Sequence, residues 1–263
     1  MKPYYEDSAC KIYCENCLET MANIPAGTID LTVTSPPYGK LRDYNGYTFD
    51  FEPIAKKLYE ITKEGGVVVW VVNDSTVDGS ETGAPFRQAL YFKDECGFNL
   101  HDTMIWIKEY LSFPDDKRYY NAFEYMFVFS KGAPKTINLI ADRVNAAAGR
   151  VINGSERNRD GSFRKKACEG NIIKSKGIRW NWWSIYNAKR GIHNKHPATF
   201  PEKLANDHII SWSNAGDVVY DPFCGSGTTA LMARENGRYF VGSEISEEYC
   251  DIIKLRMAQD ILL

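Results

Sequence analysis

Between Asp217 and Glu244 the chain carries a strand, a glycine turn, a helix and a second strand ending in an acid, and few folds can use that order. Asp217-Val218-Val219-Tyr220 is a short apolar run of strand type. Thr229-Ala230-Leu231-Met232-Ala233-Arg234 has helical apolar spacing and is stopped by Gly237. Arg238 to Ser243 reads as the second strand, with Glu244 at its C-terminal end. The turn itself is Asp221-Pro222-Phe223-Cys224-Gly225-Ser226-Gly227-Thr228. Glycines here let a ligand reach the backbone and the helix N-terminus, which side chains would block. Such a unit is half of a nucleotide-binding α/β sheet, and an acid roughly 20 residues past the turn suits the two hydroxyls of a ribose.

The turn lacks the third glycine of the dinucleotide fingerprint and has no Gly-Lys-Ser/Thr, which argues against dinucleotides and P-loop triphosphates. A carboxylate at Asp221 would repel a pyrophosphate. It suits a ligand with a positive amino group, such as the methionine end of S-adenosylmethionine. An ordinary βα turn would share the glycines, but it has no need of both Asp221 and Glu244.

The rest of the chain alternates in the same way. Lys11–Cys14, Ile29–Val33, Val67–Val72, His101–Lys108 and Tyr125–Ser130 read as strands. Phe51–Thr62, Phe86–Cys96 and Glu202–Ser213 read as helices. Strands alternating with helices predict an α/β, Rossmann-like, doubly wound and mostly parallel sheet. The unbroken apolar run Val67–Val72 marks a strand buried on both faces. No run of 18 apolar residues and no signal peptide occurs, so a cytoplasmic protein is expected. The seven cysteines are odd in number and mostly scattered, which fits reduced thiols. Cys10, Cys14 and Cys17 cluster without a second Cys or His pair, so no metal is expected there.

A net charge of −2 hides an asymmetry: residues 133–195 hold 14 Lys/Arg against 4 Asp/Glu. Phe163, Trp180, Trp182, Trp183 and Tyr186 are interleaved with those cations. Cations for phosphates and aromatics for bases make a nucleic-acid surface, although a solvated loop region packed by tryptophans would share the composition. The expected division is a catalytic half over 1–132, an inserted recognition region over 133–195 and a cofactor half over 196–263.

A second constellation, Ser35-Pro36-Pro37-Tyr38, directly follows a strand. Two prolines stiffen the backbone and leave a hydroxyl and carbonyls unused by the sheet. Those acceptors can hold the hydrogens of an amino group on a flat base, with Tyr38 against its face.

Together these motifs resemble the amino-methylating DNA methyltransferases over nearly the whole chain. Ser35-Pro36-Pro37-Tyr38 is similar to the family's (Asp/Asn/Ser)-Pro-Pro-Tyr motif, and Asp221 to Thr228 resembles its cofactor loop. Val241-Gly242-Ser243-Glu244-Ile245 with Tyr249 resembles its ribose-binding strand and helix. His196-Pro197-Ala198-Thr199-Phe200-Pro201 is similar to its lead-in to the cofactor loop. Cys14-Glu15-Asn16-Cys17 resembles its N-terminal adenine-contacting motif, with Asn16 in place of the usual Asp. Catalytic motif, basic region, then cofactor motif is the permuted order of the beta class.

The resemblance implies a permuted class I S-adenosylmethionine-dependent methyltransferase fold with an inserted target-recognition region. It implies that a base flipped from double-stranded DNA is methylated on its exocyclic amine, leaving S-adenosylhomocysteine. Ser35, Pro36, Pro37 and Tyr38 would form the catalytic motif. Asn16, Pro197, Thr199, Phe200, Asp221 and Phe223 would line the cofactor site, with Gly225, Ser226, Gly227, Thr228, Glu244 and Ile245. Arg42, Arg164, Lys165, Lys166 and Arg179 would contact DNA. Serine at the first motif position resembles the enzymes acting on N4 of cytosine, with N6 of adenine as the alternative. None of the cysteines follows a proline, which argues against ring-carbon methylation through a thiolate. An RNA methyltransferase or an inactive nucleic-acid-binding protein are the readings from other classes. A bacterial or phage-type, nucleoid-associated enzyme is expected, and a homodimer and an associated restriction endonuclease are compatible with that reading.

Overall fold

The computed structural model describes residues 2–37, 49–108, 116–186 and 201–259. They form two compact units, one from Met1–Asn138 with Asn181–Leu263 and one from Leu139–Trp180. The first unit begins with β1 (Tyr5–Glu6), β2 (Cys10–Cys14), α1 (Cys17–Ala22), β3 (Ile29–Thr34), α2 (Phe51–Ile61) and β4 (Thr62–Val72). A hairpin of β5 (Thr76–Val77) and β6 (Ser80–Glu81) follows, then α3 (Ala84–Leu90), β7 (Asn99–Ile107) and β8 (Phe123–Ser130). The second unit holds β9 (Arg143–Val144), β10 (Ser155–Arg157), β11 (Phe163–Lys165) and β12 (Lys176–Gly177). The chain returns to the first unit with β13 (Trp182–Ser184), α4 (Glu202–Trp212), β14 (Val218–Asp221), α5 (Thr228–Glu235), β15 (Tyr239–Glu244) and α6 (Glu247–Gln259).

Nine of these strands form one sheet in the order β1-β2-β15-β14-β3-β4-β8-β7-β13. From β2 to β4 every neighbour is parallel, and β8 is the antiparallel strand between β4 and β7. Strand β4 shows why the sheet lies in the middle. Val67, Val69 and Val71 pack on one face with Leu204, Ala230 and Ile253 of α4, α5 and α6. Val68, Trp70 and Val72 pack on the other with Met21, Leu58 and Ala89 of α1, α2 and α3. Each such side chain contributes about 1.5–3 kcal/mol by leaving water, so the unbroken apolar run fixes both layers.

Some boundaries differ from the sequence reading. Strand β4 begins at Thr62, directly after α2, because Thr62 pairs with Ile29 across a register shift before Leu31 meets Val67. Helix α3 starts at Ala84 behind a left-handed Gly83 and continues as a π turn over Tyr91–Glu95. Strand β13 joins β7 in parallel, a pairing the cationic and aromatic composition there did not suggest. Trp183 of β13 packs 4.6 Å from the ring of His208 on α4, a histidine that burial pushes down to about 3.

The second unit is built from short pairings: β10 with β11, β12 with β9, and a bridge between Val151 and Ile172. Arg143 lies over the Trp180 ring at 4.2 Å, and Arg179 grips Asp142 through two bonds of 2.7 and 2.5 Å. These contacts tie together the two ends of the segment.

Candidate active site

Strands β3, β14 and β15 run parallel, so Thr34, Asp221 and Glu244 end on one edge of the sheet. In open α/β sheets that edge is where ligands collect. Thr34 Oγ1 donates to Asp221 Oδ1 at 2.7 Å, and the Phe223 amide donates to the same oxygen at 2.9 Å. Thr34 is the residue immediately before Ser35-Pro36-Pro37. The strand end that leads into the proline motif and the acid that opens the glycine turn, far apart in sequence, are therefore bonded to each other.

Glu244 is aimed over the turn. Its Oε2 accepts the Gly225 amide at 2.8 Å and its Oε1 accepts the Ser246 amide at 2.9 Å. The Ile245 amide adds to these, and a carboxylate's roughly four acceptor positions leave room for a hydroxyl beside the three amides. Gly227 caps α5 at φ +82, and a Cβ there would also lie 3.0 Å from Ile253 Cγ1. Both backbone and space therefore require glycine at that position.

The two carboxyls share an unusual environment. Burial pushes Asp221 up to about 6, against the opposing pull of hydrogen bonds from Thr34, the Phe223 amide and Thr229. Burial likewise raises Glu244, and the charge of Asp221 adds to that rise. Removing water from two acids is costly unless a cation or hydroxyl donors take its place. A positive group or hydroxyl donors brought to this edge would relieve that cost. Beside it stands an aromatic wall: Phe223 meets Trp70 edge-on at 6.3 Å and Phe49 at 5.7 Å. Trp70 pairs with Thr34 in register and donates to Gln88 Oε1 at 2.9 Å.

Of the expected catalytic residues, Ser35 and Pro37 are half-buried and Pro36 is buried. Tyr38 and Arg42 lie outside the described residues, as do Pro197, Thr199 and Phe200. Asn16 caps α1, with Oδ1 accepting the Leu18 amide at 2.9 Å. It is placed beside Glu244 because the Glu15 amide donates to the Glu244 carbonyl at 3.0 Å. Ser226 and Thr228 are buried, and Ile245 is half-buried just after Glu244.

In the second unit, Arg164 pairs with Glu156 at 2.7 Å and Lys165 with Glu169 at 3.4 Å. Lys166, half-buried, donates its amide to the Gly154 carbonyl. Arg179 is committed to Asp142.

Two residues with a bearing on the site escaped the sequence reading. Thr34 had a faint signal as a polar residue closing an apolar strand next to Ser35. Arg256 of α6 had almost none, yet its Nη1 donates to the Ser226 carbonyl at 2.6 Å. Among the described residues there is no group of three or more His, Cys, Asp or Glu able to hold a metal ion. Among them, too, no helix is long and apolar enough to cross a membrane.

Comparison with known proteins gives the family and the fold. The profile of the N6/N4 DNA methylase family matches residues 29–255. The orphan methyltransferase M.BamHII of Bacillus amyloliquefaciens is 59% identical, over 92% of this chain and 93% of that protein. The solved PvuII DNA methyltransferase, described as cytosine-N4-specific, superposes with a TM-score of 0.72 at 24% identity, covering 97% of this chain and 88% of that one. The complex of M1.HpyAVI with SAM superposes with a TM-score of 0.59 at 23% identity, covering 94% and 99%. These two likenesses show a shared class I methyltransferase fold. With a family match over most of its length and a 59% identical relative, the chain belongs to the N6/N4 family of DNA methylases.

Proposed function

We propose that this enzyme transfers the methyl group of S-adenosylmethionine to N4 of cytosine in double-stranded DNA. The observation that supports the reading is the bond between Thr34 and Asp221, which sets the strand end just before Ser35-Pro36-Pro37 against the acid at the start of the glycine turn. Asp221 pairs with the amino group of the cofactor, and Glu244 accepts the ribose hydroxyls. Asn16, Phe223, Ile245 and the segment with Pro197, Thr199 and Phe200 line the remainder of its site.

The target base leaves the duplex and stacks on Tyr38. Ser35 and the Pro36 carbonyl accept its amino hydrogens, which directs the nitrogen lone pair at the methyl carbon. A nitrogen–carbon bond forms as the carbon–sulfur bond breaks. The sulfonium becomes the neutral thioether of S-adenosylhomocysteine, and the nitrogen gives up one proton to solvent. No covalent enzyme intermediate is needed. Rate enhancement then comes from positioning and from polarisation of the amine.

Serine at position 35 supports cytosine over adenine. N6 of adenine is the second reading, because the family spans both bases. The cations of the second unit serve the DNA backbone. The ion pairs of Arg164 and Lys165 are solvent-exposed and worth only about 0–1 kcal/mol, so exchanging their carboxylates for phosphates costs little. Such an enzyme works beside the nucleoid in the cytoplasm, and methyl transfer itself requires neither a second copy nor an endonuclease. Nucleoside analysis of DNA treated with the purified protein tests the proposal: N4-methylcytosine supports it, and unmodified DNA refutes it.

A further inference from the structure

The glycine turn does not fix its own shape. Gly225 at φ +52 and Gly227 at φ +82 flank Ser226, and glycines tolerate several backbone conformations. The peptide between Ser226 and Gly227 is held from both ends. The Gly227 amide donates to the Cys224 carbonyl at 2.8 Å, while the Ser226 carbonyl accepts Arg256 Nη1 at 2.6 Å. The same nitrogen lies 3.4 Å from Thr228 Oγ1, at the start of α5. Arg256 Nη2 donates to Glu202 Oε1 at 2.9 Å, in the first turn of α4.

Arg256 is only 7% exposed, and a buried guanidinium demands hydrogen bonds or a counter-charge. Glu202 supplies a counter-charge, yet its side chain is 52% exposed and screened by water. The buried side of the guanidinium is turned on the glycine turn instead. There it meets the Ser226 carbonyl and the hydroxyls of Ser226 and Thr228, which fix direction more than they neutralise charge.

We infer that Arg256 is a positioning residue for the cofactor turn, setting cofactor affinity by holding the Ser226–Gly227 peptide and the Thr228 hydroxyl without itself touching the cofactor. This rests on the reading of the turn as the S-adenosylmethionine site. Arg256→Met removes every contact. Arg256→Lys keeps a cation that can reach the Ser226 carbonyl but cannot span to Glu202 as well. Glu202→Gln leaves the contacts to the turn intact.

Calorimetry with S-adenosylhomocysteine and steady-state kinetics in both substrates read the outcome. Arg256→Met is expected to raise the dissociation constant at least tenfold, equivalent to about 1.4 kcal/mol. It should raise KM for S-adenosylmethionine while KM for DNA stays within twofold. Arg256→Lys should recover part of the loss, and Glu202→Gln should lose less than threefold. A folded Arg256→Met protein with unchanged affinity overturns the inference, and so does an equal rise in both KM values. Should Arg256→Met fail to fold, Arg256→Lys carries the same test, and equal changes in its two KM values overturn the inference. Failure of the parent protein to bind the cofactor or its product would contradict the proposed function itself.

Discussion

Replacing Asp221 by Asn probes the site's electrostatics. Burial pushes this carboxyl up to about 6. Pairing with an ammonium favours the carboxylate, so binding must strip the proton from any protonated fraction. Affinity for S-adenosylmethionine is therefore level above about pH 6 and falls as pH drops through that value, approaching tenfold per unit. The stability effect has the opposite sense. Because the folded pKa lies above the unfolded value near 3.9, the folded state binds the proton more tightly. That contribution is present below pH 4 and is lost as pH rises to about 6. The full cost of holding the ionised group is on the order of 3 kcal/mol. Asn keeps an acceptor for Thr34 and the Phe223 amide, so ligand-free Asp221→Asn should resist urea better than the parent above pH 6 and match it near pH 4. Its cofactor affinity should be weak and its pH dependence shallower, the remainder coming from Glu244, which burial also raises. Titration calorimetry from pH 4.5 to 8, paired with urea unfolding, measures both effects. Parental affinity with the parental pH profile in Asp221→Asn would refute the reasoning.

Glu244→Ala should weaken cofactor binding by about 1.5–3 kcal/mol, the size of hydrogen bonds to a charged group, as read by calorimetry. Joint replacement of Arg164, Lys165 and Lys166 by Ala should flatten the salt dependence of DNA binding and leave cofactor affinity unchanged, as filter binding at several salt concentrations would show. Tyr38→Ala should remove a stacking surface worth about 1–3 kcal/mol per base, whereas Tyr38→Phe keeps most activity in the same methylation assay. Ser35→Ala leaves the Pro36 carbonyl, so its loss should be partial and appear in kcat rather than in cofactor affinity.

What the sequence makes legible follows from which forces act locally. Val67–Val72 announces a doubly buried strand because burial on both faces leaves no polar position in the run. Asp221, Gly225, Gly227 and Glu244 are readable as a strand–turn–helix–strand unit because the glycine turn and the acids at the two strand ends recur at fixed spacing, and the structure brings Glu244 onto the Gly225 amide. The extension of β4 back to Thr62 is not readable, since it depends on a register shift opposite Ile29. Strand β13 is hidden because three residues carry too little periodicity, and its pairing with β7 is decided by tertiary contact. Arg256 is hidden for a related reason: its partners at Ser226 and Glu202 come from other elements, and no local pattern records them.

The most direct test of the account is the identity of the methylated atom. Purified protein is incubated with double-stranded DNA and isotopically labelled S-adenosylmethionine, and the DNA is digested to nucleosides for mass spectrometry. The account predicts label in N4-methylcytosine, abolished or strongly reduced in Asp221→Asn. Label in N6-methyladenine would overturn the assignment of the base drawn from Ser35. Label on a ring carbon such as C5 of cytosine, or none in the DNA, would contradict amino-group transfer at the edge formed by Thr34, Asp221 and Glu244.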